Sequence, residues 1–174
     1  MAVAAALLIA PGVAVYRPLA SPWLERMVRH VRSVTGNIPV PKRRAMLQMF
    51  RSLARNGTVG VLIDQNVSWK EGVFVDFFGR PACTTDGLAQ MAIKSETPVM
   101  LVFMVRKPDG RYRFVIGEEV TIIRTGNWEA DIKANTQQFT SMLENVIRQY
   151  PEQWLWLHQR WKTKAYQALW PRFH

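Results

Sequence analysis

The chain has 174 residues, 48% of them apolar, which suits one domain with a core of its own. Its single cysteine, Cys83, excludes an internal disulfide and fits a reducing environment. A formal net charge of +10 calls for an anionic partner: nucleic acid, anionic lipid or an acidic carrier protein.

The opening run to Val15 is apolar but too short to span a membrane, and Pro11-Gly12 interrupts it. It has no basic leader, so it reads as a helix of Ala and Leu, then a turn, then a strand over Gly12–Tyr16. Ser21 is placed to cap a helix with Pro22 in its first turn. There Leu24, Met27, Val28 and Val31 recur at helical spacing, and Arg26, Arg29, His30 and Arg32 take the opposite face. Gly36-Asn37 ends that helix, and Ile38-Pro39-Val40 is a short extended piece. A second helix is predicted from about Lys42 to Arg55, burying Met46, Met49, Phe50 and Leu53 and stopped by Asn56-Gly57. Thr58–Ile63 reads as a buried strand. Thr84 or Thr85 caps a helix to about Lys94. Val99–Arg106 and Tyr112–Ile116 flank Pro108-Asp109-Gly110 as a hairpin, and Val120–Ile123 is a further strand. A long helix then runs from Asn127 to about Tyr150, with Phe139, Met142, Leu143, Val146 and Tyr150 inward. Alternating helices and buried strands predict an α/β fold: a mixed, mostly parallel sheet flanked by helices. There is no internal repeat and no low-complexity linker.

The stretch from Val59 to Thr85 is the most telling. Its apolar run ends abruptly at Asp64-Gln65, a polar loop follows, and Gly72 opens a second apolar run containing Phe74, Phe77 and Phe78. A buried strand that stops at a carboxylate and opens into a long loop is how α/β enzymes build sites at strand ends. A polar floor beside an apolar wall suits a substrate with a charged head and a hydrocarbon tail. Asp64 either holds such a head or merely anchors the loop, and the phenylalanines either line a groove or pack the core. Gly72 and Gly79 read as turn residues. Arg17, at a strand end before Pro18, either binds a phosphate or lies free on the surface. His158, within a tryptophan-rich run, fits a structural residue better than a general base. Cys83 has no histidine near it to make it a nucleophile, and no metal-ligand spacing occurs. The basic faces (Arg26, Arg29 and Arg32, then Lys42, Arg43, Arg44, Arg51 and Arg55) suit an anionic leaflet or an acidic carrier protein.

The same residues carry a resemblance. Val15-Tyr16-Arg17-Pro18-Leu19, Asp64-Gln65 with Gly72–Pro81, Thr97-Pro98-Val99, and Pro151–His158 with Arg160-Trp161-Lys162 resemble, in that order, the blocks of the lipid A biosynthesis lauroyl/myristoyl acyltransferases of the lysophospholipid acyltransferase superfamily. The similarity runs from about Tyr16 to Lys164. It implies a glycerolphosphate acyltransferase-like fold, incomplete at the N-terminus, over residues 1–170 with a tail at 171–174. It also implies transfer of a fatty acyl group from acyl carrier protein to a glycolipid hydroxyl, at the cytoplasmic face of the bacterial inner membrane. The implied substrate-binding residues are Arg17, Asp64, Gln65, Gly72, Phe74, Phe77 and Phe78. No metal or redox cofactor is called for.

One departure stands out. The family is known for a His-x4-Asp/Glu motif, and none of His30, His158 and His174 has an acidic residue five positions on. Residues 1–10 look like the helix that follows that motif, so the chain is expected to start just downstream of its catalytic pair. General-base assistance is typically worth about 10²–10⁴-fold, so these residues alone are expected to be inactive or nearly so. The acceptor is either a lipid A precursor or a phosphatidylinositol mannoside. The rival reading is a non-catalytic basic module on a membrane surface or nucleic acid. Nucleic acid is the weaker partner, because no recognition motif or aromatic-basic sheet face is evident.

Overall fold

The structure, a computed structural model, describes residues 12–16, 18–34, 36–41 and 45–166. The expectations for the opening helix, for Arg17, for Lys42–Arg44 and for the 171–174 tail lie outside the described residues. Two compact units form, residues 1–62 with 102–104 and residues 63–101 with 105–174.

The first unit holds β1 (Gly12–Tyr16), α1 (Pro22–Ser33), β2 (Ile38–Pro41), α2 (Ala45–Leu53) and β3 (Thr58–Gly60). The strands make a parallel sheet in the order β2-β1-β3, with Val13 opposite both Ile38 and Val59. Val13 and Val40 are buried in it. Pro22 sits in the first turn of α1 as expected, but the Ser21 side chain makes no capping bond. Asn56, at φ 56°, stops the turn after α2, and Gly57 N–H donates back to the Ser52 carbonyl at 2.9 Å. The strand expected over Thr58–Ile63 ends at Gly60. Its ladder with β1 stops at the Ala14–Gly60 pair, and Leu62 is exposed. An apolar run without a partner strand does not extend the sheet.

The second unit holds β4 (Gly72–Phe77), β5 (Arg80–Thr85), α3 (Gly87–Ser95), the ends of β6 (Met100–Arg106, whose residues 102–104 count with the first unit), β7 (Tyr112–Glu119) and α4 (Trp128–Gln149), with short 3-10 turns at Trp69–Glu71, Pro151–Gln153 and Trp156–His158. The predicted hairpin is present as β6 and β7, and β7 continues past Ile116 to Glu119. The four described helices, the parallel sheet and two antiparallel pairs make this an α/β fold.

Gly79 is a turn residue as expected, but the β4–β5 hairpin that it closes was not foreseen. Phe77 pairs with Arg80 across a two-residue turn in which Phe78 and Gly79 both take positive φ, 54° and 71°. That geometry matches the twist of the strands, and glycine suits its second position. Phenylalanine at positive φ costs about 1–2 kcal/mol. Three contacts offset it: Phe78 N–H donates to Glu144 Oε2 at 2.6 Å, its ring meets Phe77 at 4.8 Å, and the Arg148 guanidinium lies 4.7 Å over it.

Helix α4 starts as predicted, with the Asn127 side chain accepting from Ala130 N–H. Its inner face is rotated from the expected one. Phe139 and Leu143 are buried, but Met142, Val146 and Tyr150 are only half-buried, and Asp131, Asn135, Thr136 and Thr140 join Ile132 and Ile147 inside. Polar residues tolerate burial when they are hydrogen-bonded, and three amides here act as surrogate strand partners. Gln137 accepts from Asp76 N–H at 2.7 Å and donates to its carbonyl at 3.0 Å; Gln153 does the same with Arg106, at 2.7 and 3.0 Å. Asn135 pairs likewise with Ile123, which is why Val120–Ile123 is not a strand. Strand edges are thereby satisfied by side chains rather than left open.

Asp131 is the acid most embedded in this scheme. The Thr125 hydroxyl donates to it at 2.7 Å, and the N–H groups of Thr125 and Gly126 add further bonds. These bonds, the Thr125 hydroxyl first, hold its carboxyl below the usual range. A depressed native pKa gives stability that is complete above the unfolded value of about 3.9 and is lost as pH falls through the native value. Urea midpoints are therefore expected to drop below about pH 4, and Asp131→Asn to be less stable at neutral pH with a shallower acid limb. Superimposable acid limbs would refute this.

Candidate functional site

The loop after Ile63 is pinned by the C-terminal segment. Asn66 donates to the Thr163 hydroxyl at 3.0 Å and accepts from Thr163 N–H at 3.1 Å, while that hydroxyl donates to the Val67 carbonyl at 2.8 Å. Three residues earlier in the same segment, Arg160 is 1% exposed. It donates to the Cys83 carbonyl at 2.8 Å and to the Thr84 hydroxyl, and its guanidinium lies 5.1 Å over the Phe77 ring. Burial lowers the pKa of Arg160, and the negative charge of Asp64 works against that shift. The same burial pushes the Cys83 thiol up to about 11, with Arg160 opposing. A thiol held that high is not a nucleophile at neutral pH.

Aromatic rings fill the space around this arginine. Phe77, fully buried, meets Trp154 at 5.5 Å and Trp161 at 5.6 Å, and Trp154 meets Trp156 at 4.7 Å. Buried polar atoms rarely lack hydrogen-bond partners. Among the described residues five side-chain atoms do, and four of them, Asp64 Oδ1, Arg160 Nε, Trp154 Nε1 and Trp161 Nε1, belong to this one loop and segment; the fifth is Thr136 Oγ1 on α4. Beside them a recess of about 330 Å³ is lined by Gln65, Asn66, Leu157, Gln159 and Lys162. Three amides and an ammonium suit a polar, anionic head group.

Of the residues singled out beforehand, Gln65 lines the recess and Asp64 adjoins it in sequence. The phenylalanines are not among the lining residues: Phe77 is core, while Phe74 and Phe78 are half-buried. Gly72 is extended, at φ −170°, so it serves close strand approach rather than a turn. Asn66, Gln159, Arg160 and Lys162 were not marked as site residues. The only signal for Arg160 and Lys162 was the resemblance of the C-terminal segment, and Asn66 had only its place in the polar loop after Asp64-Gln65. A second recess, about 240 Å³, lies along Glu96–Pro98, Glu119–Ile122 and Arg124.

Residues 3–163 match the bacterial lipid A biosynthesis acyltransferase family. The chain belongs to that family. Similar proteins include a lipid A biosynthesis lauroyltransferase of Escherichia coli strain K12, 28% identical over 160 residues, and a lipid A biosynthesis acyltransferase of Haemophilus influenzae, 29% identical over 157. A lipid A biosynthesis palmitoleoyltransferase of E. coli K12 is 29% identical over 156 residues. Each alignment takes in 88% of this chain and 49% of the relative, so the chain spans about half the length of the curated relatives it matches. The Asn66–Thr163 bonds tie together the loop that follows Asp64-Gln65 and the segment that follows Lys162. No described helix is long and apolar enough to cross a membrane.

Proposed function

We propose that this chain holds the head-group end of an acyltransferase that moves a fatty acyl group from acyl carrier protein to a hydroxyl of a glycolipid of the lipid A precursor type, at the cytoplasmic face of the inner membrane. The observation that carries the reading is the family match over residues 3–163 together with the Lys162-bearing recess. Lys162, Gln65, Asn66 and Gln159 bind phosphate and sugar oxygens of the acceptor. Asp64, held against the charge of Arg160, orders the loop that presents Gln65. Arg17 is a phosphate-binding residue on this reading, and Phe74 and Phe78 lie along the acyl chain.

In the reaction a histidine takes the proton of the acceptor hydroxyl, and a carboxylate five positions on orients it. The oxygen attacks the thioester carbonyl, the ester C–O bond forms, the C–S bond breaks, and the carrier thiol leaves with the proton. These 174 residues contain no His-x4-Asp/Glu pair, so they are expected to bind acceptor without turning it over.

Titrating the chain with micellar, Kdo-bearing lipid A precursor tests this directly. Saturable binding is expected, weakened about tenfold in Lys162→Ala through loss of a charge-assisted contact. Acyl transfer from acyl carrier protein is expected to stay at background. Binding that is non-saturable, or indifferent to Lys162→Ala, would overturn the site. Transfer at the pace of an intact enzyme would overturn the assignment of the base.

A further inference from the structure

The chain leaving β1 is gripped on both sides of Arg17-Pro18 by one carboxylate. Glu25, in the first turn of α1, accepts from the Tyr16 hydroxyl through Oε1 and from Leu19 N–H through Oε2, the latter at 2.9 Å. The grip is itself anchored. Glu25 N–H donates to the Ser21 carbonyl at 2.9 Å, and Arg32 lays its guanidinium 5.1 Å over the Tyr16 ring. At about 100° per residue, Arg29 and Arg32 lie within about 40° of Glu25 around the helix. This is the side that α1 turns towards β1. The apolar spacing had placed Met27 and Val31 inward, and they are 45% and 65% exposed.

The grip falls where α/β folds bind ligands, just beyond the carboxyl end of a parallel strand. β1 is the central strand of its sheet and Tyr16 is its last residue. The neighbouring β3 has already ended there, because its ladder stops at the Ala14–Gly60 pair. A proline fixes its own φ and restricts the residue before it, so a two-residue span with both flanks tied keeps little freedom. The bonds to Glu25, the Tyr16 hydroxyl first, hold its carboxyl below the usual range, so the charged form makes them.

We propose that Glu25 is a positioning residue: by tying Tyr16 to Leu19 it presents Arg17 to a phosphate of the acceptor. The proposal rests on the reading of Arg17 as a phosphate-binding residue and names the group that acts through it. An acid in a first helical turn otherwise serves to offset the helix dipole. That role needs only a charge, whereas both oxygens of Glu25 are bound to groups outside the helix.

Micellar Kdo-bearing lipid A precursor, intact and dephosphorylated, tests the proposal. With the intact lipid, Arg17→Ala should weaken binding about tenfold through loss of a charge-assisted contact. Glu25→Ala should weaken it about fivefold, on the order of the entropy of ordering one residue, and should add nothing to Arg17→Ala. Glu25→Gln should stay within about twofold of the unaltered chain, because its amide oxygen still accepts from Leu19 N–H and its amide nitrogen donates to the Tyr16 oxygen. With the dephosphorylated lipid, Glu25→Ala should bind as the unaltered chain does. Tyr16→Phe removes one of the two bonds and should cost about twofold, which keeps the test open if Glu25→Ala does not fold. Unchanged binding by Glu25→Ala or by Tyr16→Phe would overturn the proposal, even if melting fell. So would losses that add to Arg17→Ala, an equal loss with the dephosphorylated lipid, or Glu25→Gln as weak as Glu25→Ala. If Arg17→Ala itself binds as before, the reading of Arg17 falls and takes this proposal with it. If Arg17→Ala weakens binding and Glu25→Ala does not, the proposal falls alone.

Discussion

Replacing Arg160 with methionine is expected to destabilise the chain by about 3–5 kcal/mol, the range seen when one member of a buried charged arrangement is removed. Methionine matches the apolar stem but donates to neither the Cys83 carbonyl nor the Thr84 hydroxyl, and it leaves the half-buried Asp64 carboxylate without its opposing charge. It also removes the cation from the face of Phe77. For a chain of this size each kcal/mol shifts Tm by about 2–4 °C, so a fall of at least about 6 °C is expected in a thermal melt. Asp64→Asn on the Arg160→Met background should cost less than it does alone, because the two groups no longer oppose each other. Strict additivity, or a loss under about 1 kcal/mol, would mean that the guanidinium is idle.

Gly72→Ala is expected to cost about 3 kcal/mol and to open the β4–β5 hairpin, the upper part of the range for forced overpacking. At φ −170° any residue can adopt the backbone, so the cost is purely steric. A Cβ there would lie 2.2 Å from the Thr84 carbonyl oxygen and 2.6 Å from Val67 Cγ2. The first contact is to main chain in the paired strand and cannot rotate away. Thr84 also receives Arg160, so the displacement should carry to the Asn66–Thr163 tie through Val67. Amide exchange should show faster opening at Val67 and across the β4–β5 ladder. A variant as stable and as protected as the parent would show that Gly72 is not there for close approach.

The two predictions meet at one junction, which accounts for how the candidate site reads in the sequence. Asp64-Gln65 was visible because a carboxylate ending an apolar run is a local anomaly. Lys162 and Gln159 had no such mark: they belong to the site only because Thr163 bonds to Asn66 and Val67 across 96–97 positions, and Arg160 to Cys83 across 77. The three phenylalanines looked alike in the sequence. Folding separated them, with Phe77 sealed in the core and Phe74 and Phe78 half-buried. Gly79 was read as a turn residue, but the two-residue hairpin was not, because phenylalanine seldom takes positive φ and what holds Phe78 there, Glu144 and Arg148, lies on a helix far along the chain.

Family membership, the α/β class and most element positions followed from the amino-acid order alone, because strand and helix periodicity, the Asn127 cap, the Asn56-Gly57 stop and the Pro108-Asp109-Gly110 turn are set by neighbours within a few residues. Which way a face points was decided only in three dimensions. Met27 and Val31 of α1, expected inward, are exposed, and the buried side of α4 filled with polar groups, most of them hydrogen-bonded. The physical reason is that periodicity reports that a helix has two unlike sides, whereas burial depends on which distant groups can satisfy each of them.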